Sequence, residues 1–256
     1  MRRVAPRTLR GDAGGRARGA GPDAGGGRRR LDRRLGPSGS LRLSPEDRVL
    51  LEQLADAGRR LGDAGLLVAD DGNLSARRDG GSIWITPRGV RKSTLRPSDL
   101  VRVDLDGRKL EGEGDPSSEL PLHLALYRRR RTVGAVVHAH PPAATGFAAA
   151  GVPIEPDVLP EAVLALGPVP VVPYRMPGTA EVGEAAAPFA DSCRAFLLAN
   201  HGAVALGAGV EEACLRMERL EHVARVLLAA RLLGGARPLA TEERDALTRA
   251  RREGDG

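Results

Sequence analysis

Residues 133–140 read VGAVVHAH, a strand-length run of small apolar residues that ends in two histidines. A strand with apolar side chains at nearly every position has no face for solvent, so both of its faces need a covering layer. Shorter strand-like pieces surround it: LLVA (66–69), NLSAR (73–77), SIWIT (82–86), LVRVDL (100–105) before a DG turn, VPVVPY (169–174) and AFLLAN (195–200). AVALG (203–207) follows an HG turn and should pair with AFLLAN. Helical periodicity is clear at both ends of this series. SPEDRVLLEQLADAGRRLGDAG starts with Ser44 as N-cap, Pro45 at the first helical position and Asp47 completing a capping box. Val49, Leu50, Leu54, Ala57 and Leu61 recur at helical spacing, and Gly62 and Gly65 end the helix. A second helix starts near Ser117 or Ser118, and a third runs from 209 to Gly234-Gly235. Strands cluster between helices without regular βαβ alternation. The fold class expected is α/β, with helices flanking a largely antiparallel sheet.

The chain has six aromatic residues in 256, so Val, Leu, Ile and Ala must build the core. No apolar run approaches the roughly 18–20 residues that span a bilayer. Cys193 and Cys214 are isolated and form no CxxC, which points to reduced thiols in a cytoplasmic protein. The high pI of about 10.2 is not a property of the whole chain. Residues 1–43 contain twelve Arg and three Asp, a net charge of +9; the chain is +6, so the remainder carries −3. That segment is rich in Gly, Arg and Ala, has no apolar periodicity, and is expected to be disordered. It lacks the apolar stretch of a secretory signal. An RGG-like arm would make the protein a nucleic-acid-binding or scaffolding protein, the reading from a different class. An extension with no role of its own is preferred, and neither nucleic acid nor a membrane is expected as partner. Domains are therefore read as 1–43 disordered, 44–235 folded, and 236–256 a charged, loosely held tail.

His138 and His140 lie two residues apart on a strand, so their rings point to one face. His201, in LLANHGAV, sits on a turn at a strand end. Glu119, in DPSSELPL, falls at a helix start beside Ser117 and Ser118. Three imidazoles plus a position open to carboxylate, water or substrate make a catalytic zinc arrangement. The alternative for an HxH pair is a hydrogen-bonded core, and His123 and His222, both within helices, are read as structural. A cupin is set aside because HAHPPAATGF lacks the Glu that fold needs. Asn73, Ser75 and Gly89 in turns, with Ser117 and Ser118, could form a nest of donors for a phosphate. Lys92 and Lys109 are the only lysines and stand in turn or surface-like contexts, so no Schiff base is expected.

The order GN-x-S, TP-x-G, SSE, H-x-H, NHG resembles the class II aldolase/adducin family over roughly residues 44–235. The resemblance implies a three-layer αβα domain with a central, largely antiparallel sheet, a fourfold-symmetric homotetramer and active sites between neighbouring subunits. It implies Zn2+, one per subunit, held by His138, His140 and His201, with Mn2+ or Co2+ as alternatives. It makes Glu119 a ligand to the empty metal and a proton-transfer base, and Asn73, Gly89, Ser117 and Ser118 the substrate phosphate pocket. The activity implied is aldol cleavage of a ketose 1-phosphate, a small phosphorylated sugar, to dihydroxyacetone phosphate and an aldehyde. A 4-epimerase, a dehydratase or a sugar-acid phosphate decarboxylase shares the scaffold. The non-catalytic adducin branch lacks the metal histidines that this chain keeps. The sequence departs from the family at TPRG, where Arg88 replaces a hydroxyl and could pair with phosphate or select a carboxylate. The two tyrosines that fuculose-phosphate aldolase uses as acids have no match. Glu161, in LPEAV, lies near the first and could take over proton donation; a helix-start Glu without that role is the alternative.

Overall fold

The computed structural model describes residues 43–254. The disorder expected for residues 1–43 lies, but for Leu43, outside the described residues.

Helix α1 (Pro45–Asp63) starts as its sequence dictates. Ser44 is the N-cap, its hydroxyl accepts from the Asp47 amide at 3.1 Å, and Pro45 occupies the first turn. The buried stripe runs through Leu51, Leu54, Ala57 and Leu61, while Val49 points outward at 54% exposure. The expected stripe holds from Leu54 onward, and in the first turns Leu51 points inward in place of Val49. The LLVA run is a turn and not a strand: Ala69 has φ 52°, and Leu66 and Leu67 plug into the core. Its backbone is used elsewhere, with Leu66 C=O accepting from the His140 amide at 3.3 Å.

Among the described residues, eight strands form one sheet: β1 (Asn73–Arg78), β2 (Ser82–Ile85), β3 (Val101–Asp104), β4 (Lys109–Glu111), β5 (Ala135–Ala139), β6 (Val171–Val172), β7 (Ala195–Leu198) and β8 (Gly202–Gly207). Their spatial order is β4-β3-β2-β1-β5-β8-β7-β6. All neighbours are antiparallel except β6 and β7. The β7–β8 pair joins across Asn200-His201, with Asn200 in the left-handed region at φ 56°. The remaining helices are α2 (Leu120–Arg129), α3 (Pro142–Ala150), α4 (Pro160–Ala165), α5 (Ala180–Ala186), α6 (Val210–Leu232) and α7 (Thr241–Gly254). Three short ones, α3, α4 and α5, are too brief for periodicity to reveal.

Strand alternation divides the core. Ala135, Val137 and Ala139 of β5 face α1, α3 and α6; Val136 faces α2 and α5. The fold is thus a sheet between two helical layers, as expected. The tail beyond 235 is less loose than expected. Its helix α7 packs along α4, Leu239 N–H donates to Asp157 C=O at 2.8 Å, and Arg251 reaches Val163 C=O at 3.3 Å. From 241 to 251 its side chains are exposed or half-buried, and no apolar stripe announces it.

Asp47 ties α1 to the sheet. Its buried carboxylate accepts from Trp84 Nε1 at 2.8 Å, from Arg78 Nε at 2.6 Å and from Ser44 Oγ at 3.0 Å. Burial works against its charge, but these hydrogen bonds outweigh burial and hold its pKa below the usual 3.8. A depressed carboxylate stabilises the fold above its unfolded pKa and loses that contribution as pH falls through the folded value. Asp47→Asn should therefore cost about 2 kcal/mol at pH 7. In denaturant titrations that cost should shrink as pH drops below about 4.

Candidate metal centre and active-site pocket

Strand geometry delivers the first two imidazoles. His138 is the fourth residue of β5, on the same face as Val136, and His140 follows at the strand end. β1 lies beside β5 with Asn73 opposite His138, so the amide of Asn73 shares that face. His201 comes from the β7–β8 turn. The three rings stand 4.7–5.0 Å apart by centroid, and one nitrogen of each falls within 4.8 Å of the others. His138 donates through Nδ1 to Ala203 C=O at 2.9 Å, which leaves Nε2 facing the cluster. His140 Nε2 lies 3.2 Å from it.

Gly202 makes this convergence possible. A Cβ there would lie 2.5 Å from His140 Cδ2, 2.6 Å from Ala139 O and 3.3 Å from His138 Cε1. The second contact is backbone and cannot move aside. The glycine of the NHG motif is thus a requirement of close approach, not of turn conformation.

Glu119 enters from the start of α2. Its Oε2 accepts from Asn73 Nδ2 at 2.8 Å and lies 3.0 Å from His138 Nε2. Its Oε1 is buried, takes no hydrogen bond, and stands 3.4 Å from His201 Nε2. The segment before it is held in place by backbone pairing. Pro87 and Pro116 form an antiparallel bridge, Ser117 N–H donates to Thr86 C=O at 3.1 Å, and Arg88 N–H donates to Asp115 C=O at 3.0 Å. TPRG and PSSE, 30 residues apart in sequence, are thereby one wall. The other side is braced by Glu221 of α6, whose buried carboxylate accepts from the Ala143 and Ala144 amides at 3.0 Å and fixes α3 directly after HAHP.

Electrostatics suit a cation among the rings. Burial first, then the neighbouring His138, lowers His140 and His201 to about 4, so both are neutral near pH 7. Burial opposes charge on His138, but the adjacent Glu119 carboxylate raises it above the usual value. Glu119 is held well below the ordinary carboxylate range, its burial outweighed by His138, His201 and Asn73. Three imidazole nitrogens and a carboxylate oxygen with an unused lone pair fit Zn2+ or a related divalent ion.

A polar pocket of about 440 Å³ opens beside the cluster, lined by Asn73, Arg88, Gly89, Ser117, Ser118, Glu119, His140 and His201. The structure thus brings together Asn73, Arg88, Gly89, Ser117, Ser118, Glu119 and the three histidines. Glu161 is exposed in the first turn of α4 and does not line this pocket. Asn73 and Ser75 are not in turns: both lie buried within β1. Lys92 is not at the surface. It is 3% exposed, lines the pocket, and its amine donates to Asp70 C=O. The short 3₁₀ turn of Lys92–Thr94 packs on α1, where Gly58 has no Cβ to block it, and a context that reads as loop is therefore buried. Lys109 is exposed as expected. Asp70, Asp71, Pro177 and Gly178 also line the pocket and carry no sequence signal of their own. His222 is exposed on α6 and takes no part. His123 is fully buried but bonds to Asn73, so it belongs to the site's support.

Residues 52–228 match the family described as Class II Aldolase and Adducin N-terminal domain. The chain belongs to the class II aldolase and adducin family. The 5-deoxy-D-ribulose 1-phosphate aldolase of Bacillus thuringiensis is 33% identical over 77% of this chain and 93% of its own length. The 3-oxo-tetronate 4-phosphate decarboxylase of Pectobacterium atrosepticum is 35% identical over 72% and 86%. The L-fuculose-1-phosphate aldolase structure from Thermus thermophilus superposes with a TM-score of 0.67 at 35% identity, covering 75% of this chain and 98% of that one. Among the described residues of this class II aldolase-family protein, no helix is long and apolar enough to cross a membrane.

Gly202→Ala should displace the rings through the Ala139 carbonyl clash. After equal exposure to Zn2+, elemental analysis should find fewer divalent ions per chain in the purified variant than in the parent. The cost in stability should be about 1–3 kcal/mol by thermal denaturation.

Proposed function

We propose that the protein is a metal-dependent aldolase that cleaves a ketose 1-phosphate to dihydroxyacetone phosphate and an aldehyde. The observation that carries this reading is Glu119: a buried carboxylate with one oxygen anchored by Asn73 and the other directed into three imidazoles without a hydrogen bond. His138, His140 and His201 would hold the ion, Zn2+ by donor set, with Mn2+ or Co2+ able to use the same ligands. When bound, the ion supplies Lewis-acid stabilisation of the negative charge that develops at the ketose oxygens.

The rest falls to the chain. Ser117, Ser118, Asn73 and Gly89 hold the phosphate at the start of α2, where a helix N-terminus favours an anion. Arg88 and Lys92 add positive charge to the same wall. With the phosphate fixed, C3 of the ketose lies beside Glu119. The C3–C4 bond breaks and its electron pair stays on C3; Glu119, having taken up a proton from solvent as the ketose binds, passes that proton to C3 and returns to the carboxylate, and in the synthetic direction it removes the same proton. The C4 hydroxyl loses its proton as the aldehyde forms. Glu161 is the candidate acceptor, presented by a neighbouring subunit of a homotetramer with active sites between subunits. The compartment proposed is the cytoplasm.

One further reading is favoured by Arg88 and Lys92 together with the 3-oxo-tetronate 4-phosphate decarboxylase relative. A pocket with two cations accepts a carboxylate beside the phosphate, and loss of CO2 would leave the same charge for the same site to stabilise.

The deciding experiment is NMR of dihydroxyacetone phosphate with metal-loaded protein in heavy water. Deuterium should enter the hydroxymethyl carbon, and exchange should fall at least about 100-fold in Glu119→Gln. Exchange should stop on chelation. Metal-loaded protein that catalyses no exchange would overturn the aldolase reading, whereas release of CO2 from a 3-oxo sugar-acid phosphate is the separate result that would establish the decarboxylase. Arg88→Ala should raise KM for the phosphate about 10-fold with kcat little changed, the pattern of a lost ground-state contact.

A further inference from the structure

Behind the pocket, five polar side chains form an unbroken line through the core. Tyr127 OH and Ser75 Oγ are 2.8 Å apart, Ser75 Oγ and His123 Nδ1 are 2.6 Å apart, and His123 Nε2 meets Asn73 Oδ1 at 2.5 Å. Asn73 Nδ2 then donates to Glu119 Oε2 at 2.8 Å. Ser75, His123 and Tyr127 are each buried, His123 at 0% exposure and the other two at 1%. Neither the family match nor any relative's name assigns them a role. We propose that Tyr127, Ser75 and His123 are a positioning relay that fixes which way the Asn73 amide faces, and so holds Glu119 with one oxygen anchored and the other presented to the metal site.

Polarity and spacing both fix this line. An ionised carboxylate only accepts, so Asn73 must present Nδ2 to Glu119. Its Oδ1 must then face His123, which has to donate from Nε2. Burial holds His123 neutral, its pKa lowered to about 3, so its Nδ1 is an acceptor and takes the Ser75 hydroxyl proton. The Ser75 oxygen in turn accepts from Tyr127. Each group has one usable orientation once its neighbour is set, and a flipped Asn73 amide would break two bonds at once. Spacing makes the line possible. Glu119, His123 and Tyr127 stand at i, i+4 and i+8 on α2, rising about 6 Å per step. Asn73 and Ser75 stand at i and i+2 on β1, rising about 6.7 Å. The two periods nearly match, so helix and strand residues interleave. Core packing alone does not call for this line, since apolar residues of similar size would avoid the cost of burying five polar groups.

The inference rests on Glu119 having the role proposed above, and its test separates the two. Full-length metal-loaded Ser75→Ala, His123→Leu, His123→Gln and Tyr127→Phe are compared with the parent for deuterium exchange of dihydroxyacetone phosphate. Ser75→Ala and His123→Leu should lower kcat for exchange about 10- to 100-fold, with metal stoichiometry unchanged. His123→Gln, which can still donate to Asn73, should recover part of the loss. Tyr127→Phe removes one hydroxyl, keeps the ring, and should lower kcat several-fold even if the other variants fold poorly. Independently, nitrogen-15 NMR of histidine-labelled protein should find His123 neutral with the proton on Nε2 and its Nδ1 signal shifted in Ser75→Ala. Folded variants that lose only thermal stability while kcat holds would overturn the relay, as would a His123 protonated on Nδ1. If the parent itself exchanges no deuterium, the aldolase reading falls, and the nitrogen-15 result alone decides the relay.

Discussion

A carboxylate and an imidazole meet below the surface of this protein, Glu119 against His138 at 3.0 Å, and much of the architecture serves that contact. Both groups are buried, and neither could be charged there alone. Asn73 shares the carboxylate, Ala203 C=O fixes the imidazole, and His201 lies within reach of the second carboxylate oxygen. The arrangement leaves one lone pair of Glu119 unused in a place from which water is largely excluded. Such a lone pair is costly unless a proton or a cation uses it, which ties the stability of this region to its chemistry.

The layers supply the geometry. β5 sits mid-sheet, so its backbone is paired on both edges and its side chains are locked in alternation. One face receives the apolar cover of α1, α3 and α6; the other receives α2, which brings Glu119 at its start. The pocket opens where the sheet's β5 end, the β7–β8 turn and the TPRG–PSSE bridge converge. Only small residues permit that crowding, with Gly202 nearest the rings. The two layers differ: buried polar groups on the α1 side, Asp47 and Glu221, tie helices to the sheet and to one another, whereas on the α2 side a polar line runs through the core to the pocket.

Much of this was legible in the sequence. The HAH spacing placed two imidazoles on one strand face because the strand period is two, and that holds in β5. The α1 N-terminus follows from SPED because capping is local chemistry. Local patterns failed where backbone demand or packing took over. LLVA is apolar enough for a strand, yet no edge is open to it beside β5. Lys92 looks like a surface lysine, yet a glycine on α1 lets its turn sink inward. His123 has the burial of an ordinary core histidine, and only the fold shows which carboxamide it faces. The helix at 241–254 shows no apolar stripe in the sequence because its side chains are almost all polar.

The sequence by itself determined the alternation of β5, the caps, the NHG turn and the set of side chains capable of binding a metal. The first three depend on neighbours within a few residues, where dihedral preference and period decide; the last is a matter of residue identity. Tertiary structure alone decided that Glu119 reaches His138 across 19 positions, that TPRG lies against PSSE, and that Asn73 stands between Glu119 and a buried histidine. Those contacts come from sheet order and from the match of helix and strand rise, which no local pattern encodes, because they exist only once both helical layers have closed over the sheet.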